Sequence, residues 1–255
     1  MIFLRSTLFN ISFFVVTGLS CLMFLPGLLL PRRHAMKIVK FFVGSVYILE
    51  RLFLKLDYEV RGLEHLPEQG CYIVAAKHQS SYETFKLHTL FNDPSVILKR
   101  ELLRIPLWGR FLKKSDPIAI DRSSRESAQQ IIDGAKRMKE QGRPIIIFPQ
   151  GTRVHTWQTT ADRPYKTGVA RMQDATGLTI VPMATNTGIF WPKHSWLKWP
   201  GTVVFSFLPP IAPGQNISDV TRQIEILLET ESKKLEREAL SKDPRLPRPE
   251  RPAKA

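Results

Sequence analysis

Cys71-Tyr72-Ile73-Val74-Ala75-Ala76-Lys77-His78-Gln79-Ser80-Ser81-Tyr82-Glu83 is the stretch that decides the fold. Its first six residues form a short apolar run of the kind buried on both faces of a sheet. From Tyr82 to Leu90 the pattern is helical. A buried strand that passes through a polar loop directly into a helix is the building unit of an α/β sheet. The same alternation continues on either side. Further strands are expected at Tyr58–Val60, Val96–Leu98, Ile118–Ile120, Ile145–Phe148, Leu178–Val181 and Thr202–Phe207. Helices are expected at Leu107–Lys113, Ser124–Gln141, Lys166–Thr176 and Val220–Leu240. Ser123 with Glu126 has the spacing of a capping box, and Gly142 is placed to stop that helix. The expected fold class is α/β: a mixed sheet flanked by helices, preceded by an N-terminal membrane-associated helical segment. The expected division is anchoring helices over 1–55, a globular domain over 56–241 and a disordered, basic, Pro-rich tail over 242–255.

The 255 residues carry 37 Lys and Arg against 23 Asp and Glu, a formal net charge of +14, with 43% hydrophobic residues. That hydrophobic content excludes a disordered chain and a polytopic membrane protein, and the length is enough to bury a core. The two cysteines exclude a disulfide scaffold and supply no zinc-ligand spacing. The excess positive charge selects an acidic partner such as an anionic membrane surface, a phosphorylated substrate or nucleic acid.

Residues Ser6 to Pro31 contain no charged side chain and are dense in Phe, Leu, Val and Ile. As a helix they would reach roughly 39 Å, more than a hydrocarbon core needs. Pro26 and Gly27 interrupt the run, so it either spans once or dips in and turns back. It is longer than the apolar region of a signal peptide, and no Ala-x-Ala site follows. Ile38 to Leu49 lies between Arg32, Arg33, Lys37 and Lys40 on one side and Arg51 and Lys55 on the other. This is the pattern of an amphipathic helix on an anionic membrane, with a core helix as the alternative. If the first segment spans, Arg32, Arg33, Lys37 and Lys40 outweigh Arg5 and place the remainder of the chain in the cytoplasm.

Three strand ends carry unusual polar loops. In the first, His78 stands where a buried strand meets a helix, the usual position for α/β active sites. If the helix begins at Ser80 or Ser81, Glu83 in its first turn can reach back to the imidazole and form an acid–base dyad. Ser80-x-x-Glu83 is equally a capping box, and spacing alone leaves the two readings even. The second loop is Phe148-Pro149-Gln150-Gly151-Thr152-Arg153. Its glycine permits close backbone approach, Thr152 offers a hydroxyl and Arg153 a planar fork for phosphate. In the third, Lys99, Glu101 and Arg104 precede the apolar Ile105-Pro106-Leu107-Trp108. That juxtaposition suits a phosphate headgroup with acyl chains beside it, and equally a charged helix face.

Taken together these residues resemble the 1-acyl-glycerol-3-phosphate acyltransferases among the glycerolipid acyltransferases, over roughly residues 56–210. The His-x4-Asp block of that family corresponds to His78 and Glu83. The Lys-x-Glu-Leu-x-x-x-Pro-x-x-Gly block corresponds to Lys99, Glu101, Leu102, Pro106 and Gly109. The Phe-Pro-Glu-Gly-Thr-Arg block corresponds to Phe148–Arg153, and the Val-Pro block to Val181 and Pro182. Asp121-Arg122 also fits. Two positions depart from the pattern: Glu83 stands for Asp, and Gln150 stands for Glu, keeping shape and hydrogen bonding without the charge.

The resemblance implies His78 and Glu83 as catalytic residues. It implies Lys99, Glu101, Arg104, Gln150, Gly151, Thr152, Arg153 and Pro182 as substrate-binding residues, with Lys99 and Arg153 on the phosphate and the Gly151 backbone a candidate oxyanion donor. The reaction implied is acyl transfer from acyl-CoA or acyl carrier protein to the 2-hydroxyl of lysophosphatidate, with no metal and no cofactor. The partners are membrane lipids, and the implied location is the cytoplasmic face of a bacterial inner membrane; no nucleic acid is expected. Another lyso-lipid acceptor, such as lyso-ornithine lipid or a lysophospholipid, remains the alternative within the class. A non-catalytic basic protein binding membrane or nucleic acid is the alternative outside it.

Overall fold

The computed structural model of the chain describes residues 1–251. Seven strands form one mixed sheet: β1 (Leu56–Arg61), β2 (Ile73–Ala76), β3 (Ser95–Lys99), β4 (Ile118–Ile120), β5 (Ile145–Ile147), β6 (Ile180–Thr185) and β7 (Gly201–Phe207). Their spatial order is β1-β7-β6-β2-β5-β3-β4, and only the β6–β7 pair is antiparallel. All seven coincide with apolar runs expected from sequence, to within a few residues at their ends. β2 and β5 are buried along their whole length, as strands covered by helices on both faces must be.

Two helical layers cover the sheet. On one face lie α5 (Ser127–Glu140), α6 (Gly168–Thr176) and α8 (Ile217–Lys242), burying Met138, Val169, Met172, Ile224 and Leu228. On the other lie α1 (Ile2–Met23), α3 (Tyr82–Leu90) and the short α7 (Thr187–Phe190), centred on Phe9, Tyr82, Leu87, Trp191 and Phe205. The short α7 was not expected from sequence. α2 (Arg32–Leu49) and α4 (Trp108–Lys114) complete that side, with Phe42 of α2 edge-on to Trp108.

Three expectations are revised. The Ser123–Glu126 capping box does not form, because the Asp121 carboxylate accepts from both the backbone N–H (3.0 Å) and the hydroxyl (2.6 Å) of Ser123. α5 starts later, at Ser127, with no side-chain cap. Gly142 does end this helical stretch, at φ +65°. Second, the N-terminal helices are not separate from the globular part. Phe9 is fully buried edge-on against Trp191 at 5.2 Å, and Ser6 Oγ both donates to Lys198 O and accepts from its N–H. α2 buries Ala35, Met36, Phe42, Val43 and Val46, so it is a wall of the domain as well as a basic helix. Third, the chain beyond α8 packs at first: Leu246 is buried, and Arg251 pairs with Asp162. The rest of the expected tail, 252–255, lies outside the described residues.

The face of α1 turned away from the domain carries Leu4, Leu8, Ile11, Val15, Leu19 and Leu22, all exposed and spaced three or four residues apart. α1 is also long and apolar enough to cross a membrane. The end of α2 is fixed by a buried pair: Glu50, in a π-helical turn, accepts from Lys86 of α3. The ammonium lies over the rings of Tyr47, Tyr58 and Tyr82 at 4.6, 5.4 and 4.7 Å. Burial raises the Glu50 carboxyl and lowers the Lys86 ammonium. Cation–π contacts and the carboxylate together offset that burial.

Candidate active site

Because β2, β5, β3 and β4 run parallel side by side, their C-terminal ends emerge at one edge. The three polar loops and the Asp121-Arg122 turn after β4, far apart in sequence, are therefore brought to one place, where open α/β sheets bind ligands.

His78 follows β2, and Glu83 lies in the first turn of α3. Glu83 is fully buried, and its Oε1 accepts three hydrogen bonds: from Gln79 N at 2.7 Å, Ser80 N at 2.8 Å and His78 Nδ1 at 2.9 Å. The two readings left even by spacing are thus one arrangement. The carboxylate caps the helix backbone and orients the imidazole with the same oxygen. With Nδ1 committed, Nε2 is the nitrogen available to a substrate. The ring stacks on Phe148 at 3.9 Å and 20°, which fixes its plane. His78 keeps 15% of its side chain accessible, on the wall of a cavity of about 410 Å³.

That cavity has a polar and an apolar part. The polar lining includes His78, Lys99, Arg122, Thr152 and Arg153. The apolar lining comes from the N-terminal helices, α3, β3 and α4, with Phe24, Phe42, Val43 and Trp108 among its members. The polar part suits an anionic group and the apolar part a hydrocarbon chain.

Arg153 Nη1 donates to Ser81 Oγ at 2.6 Å, which sets the guanidinium beside the dyad loop. The backbone of the two loops is joined where Val154 N donates to His78 O at 2.8 Å. Gly151 holds φ +68°, a conformation other residues rarely adopt, and its carbonyl accepts from Arg122. Its N–H is taken by Phe148 O at 2.9 Å, so the Gly151 amide is not an oxyanion donor in this geometry.

Of the ten residues singled out in sequence, His78, Lys99, Gly151, Thr152 and Arg153 line the cavity, with Glu83 directly behind His78. The other four lie elsewhere. Glu101 is exposed and pairs with Lys99 at 3.1 Å, tying up that ammonium, and Arg104 is exposed on the same turn. Gln150 is buried and donates to Arg163 O at 2.9 Å, bracing its own loop. Pro182 is within β6, opposite Ala75 of β2, where it supports the strand that delivers His78.

Two cations join the site that sequence reading did not assign to it. Arg122, after β4, was visible only through family resemblance. Lys193 carries no motif; its Nζ donates to Arg153 O at 2.9 Å. Burial and the charges of Arg153 and Arg163 hold the Lys193 ammonium below the usual lysine range. Cations gathered this closely favour an anionic ligand.

The family model described as Acyltransferase matches residues 57–186, just over half of the chain. The 1-acyl-sn-glycerol-3-phosphate acyltransferase of Pseudomonas aeruginosa is 40% identical over 156 residues, 61% of this chain and 59% of that protein. The protein of that name from Saccharomyces cerevisiae is 32% identical over 170 residues, 65% of this chain and 55% of that one. The alignments thus span less than two thirds of either relative. The crystal structure of the 1-acyl-sn-glycerophosphate acyltransferase from Thermotoga maritima has a TM-score of 0.76 at 21% identity. It covers 92% of this chain and 98% of that chain, so the fold is shared across nearly the whole length. The dyad loop, the Gly-Thr-Arg loop and the sheet that aligns them all fall within or beside the matched stretch, and the chain belongs to the acyltransferase family.

Proposed function

We propose that the protein transfers an acyl group from a thioester to the 2-hydroxyl of 1-acyl-glycerol-3-phosphate, giving phosphatidate. The observation that carries this reading is the His78–Glu83 dyad on the wall of a largely apolar cavity, with Arg153 one hydrogen bond from the dyad loop. Nε2 of His78 takes the hydroxyl proton as the oxygen attacks the thioester carbonyl carbon. Collapse of the tetrahedral intermediate breaks the C–S bond, and the departing thiolate recovers the proton from the imidazolium. Glu83 stabilises that imidazolium from a fully buried position. Arg153, assisted by Arg122 and Lys193, holds the phosphate.

The donor is acyl-CoA or acyl carrier protein, and the chemistry requires no metal or other cofactor. The exposed stripe of α1 and the cations Arg33, Lys37, Lys40, Arg51 and Lys55 support attachment to an anionic membrane. Since α1 also packs along the domain, the N-terminal pair dips into one leaflet and returns. We assign this to the cytoplasmic face of a bacterial inner membrane.

Comparing acceptors tests the reading. Lysophosphatidate is expected to be acylated far better than 1-acyl-glycerol, lysophosphatidylcholine or lyso-ornithine lipid, and that preference is expected to disappear in Arg153→Ala. Equal use of acceptors with and without a phosphomonoester would reject the proposed substrate.

A further inference from the structure

His78 stands between two side chains that the chemistry above does not use. Lys77 and Gln79 are 3% and 2% exposed, and both reach α8, whereas His78 lines the cavity. Residues two apart on an extended segment face one side and the residue between them faces the other. Lys77 Nζ donates to Glu229 Oε1, which also accepts from Tyr165 Oη at 2.8 Å. Gln79 Nε2 donates to Glu236 Oε1 at 2.7 Å, and Gln79 Oε1 accepts from Gly188 N at 3.1 Å.

Glu229 and Glu236 lie two turns apart on the face of α8 that buries Leu228, Ser232 and Leu235. Carboxylates are costly on such a face, and burial raises Glu236 to about 7. Leucine at either place would attach the helix to the sheet without that cost. What the carboxylates add is direction. The side chains on both sides of His78 are fixed by hydrogen bonds, Lys77 N donates to Met183 O at 2.9 Å, and Gln79 N donates to Glu83 itself. The three-residue segment has its backbone and flanking side chains held at once.

We propose that Glu229 and Glu236 are positioning residues for acyl transfer: through Lys77 and Gln79 they hold the backbone of His78 so that its imidazole meets Glu83 and faces the cavity. This rests on the reading of His78 as the base. Both carboxylates lie outside residues 57–186, so the C-terminal helix completes a site whose reacting groups all come from the sheet.

The test is steady-state kinetics of the full chain in detergent micelles, with 1-acyl-glycerol-3-phosphate and acyl-CoA, alongside thermal unfolding. Glu236→Leu is expected to lower kcat by about 10- to 100-fold, the range for a misplaced catalytic group, with each KM within about threefold. Glu229→Leu is expected to behave alike. Glu236→Gln recovers most of the loss, since its amide oxygen still accepts from Gln79. Gln79→Glu alone sets two carboxylates against each other and slows turnover, and Gln79→Glu combined with Glu236→Gln restores it. That exchange decides the matter if Glu236→Leu does not fold.

Adding Glu236→Leu to His78→Ala is expected to cost nothing further, because no base remains to be positioned. Wild-type kcat in a folded Glu236→Leu protein, losses that multiply with His78→Ala, or failure of the exchange overturns the proposal. Wild-type activity in His78→Ala overturns the base itself, which is a distinguishable result.

Discussion

Replacing Glu83 by Gln removes one charge from the dyad and little else. The oxygen that accepts from Gln79 N, Ser80 N and His78 Nδ1 can be an amide oxygen, so the helix cap and the imidazole orientation survive. The new NH₂ group falls where Oε2 is buried without a partner, a modest penalty of about 1–2 kcal/mol. What is lost is the attraction between carboxylate and imidazolium. At about 4 Å with an effective dielectric of about 20 it amounts to roughly 4 kcal/mol. Part of this, about 1 kcal/mol, is recovered by the neutral hydrogen bond, which leaves roughly 3 kcal/mol, or about 10² in rate. Glu83→Gln should therefore unfold within a few degrees of wild type while kcat falls by that factor. Glu83→Ala should lose turnover and also about 2–5 kcal/mol of stability, because two buried N–H groups lose their acceptor. Steady-state kinetics with thermal and urea unfolding of the two variants measure these quantities. A stable Glu83→Gln protein with full turnover would refute the reasoning: the carboxylate would be a cap alone.

Other perturbations reach different parts of the account. Arg153→Ala should raise KM for the phosphorylated acceptor by roughly 10- to 100-fold, the usual range for a charge-assisted pair, and KM for the thioester much less; Arg153→Lys should recover only part, lacking the fork. An unchanged acceptor KM would remove Arg153 from the phosphate. Ile11→Glu with Val15→Glu, both on the exposed stripe of α1, should weaken co-sedimentation with phosphatidylglycerol vesicles while leaving the melting temperature unchanged. Undiminished vesicle binding would show that this face does not meet lipid. Burial, partly opposed by Asp93, lowers His88 from 6.5 to about 4, so the unfolded chain binds the extra proton first as pH falls. Its contribution to stability is complete above pH 6.5 and lost as pH drops through about 4, at most about 3 kcal/mol. His88→Phe should flatten the acid limb of urea midpoint against pH in that window, and an unaltered limb would contradict the assignment.

Much of the fold was legible because its strands are short apolar runs separated by helical periods, and a buried parallel sheet leaves no other pattern. The dyad loop and the Gly-Thr-Arg loop were legible because each is contiguous and sits at a strand end. What escaped has a common physical cause. Glu229, Glu236 and Lys193 reach the site from segments distant in sequence, and as isolated charges on helices or loops they look like solvated surface. The N-terminal helices read as an anchor because their exposed stripe and buried face are both apolar. Only packing distinguishes Phe9, under Trp191, from Ile11, exposed to the outside. The Ser123–Glu126 cap was a sound local inference overridden by a carboxylate two residues before it. Pro182, carried over as part of a motif, supports the central strand rather than the cavity.

The most direct test of acyl transfer at His78 follows both products in one reaction. Purified full-length protein is given 1-acyl-glycerol-3-phosphate and acyl-CoA, and separately acyl carrier protein thioester. Free thiol and the position of the new ester are measured for wild type and His78→Ala. The account predicts phosphatidate acylated at the 2-position, one thiol released per ester formed, and a fall of about 10² to 10⁴ in the folded variant. Wild-type turnover by His78→Ala, or a folded wild-type protein that forms no ester from either thioester, would contradict it.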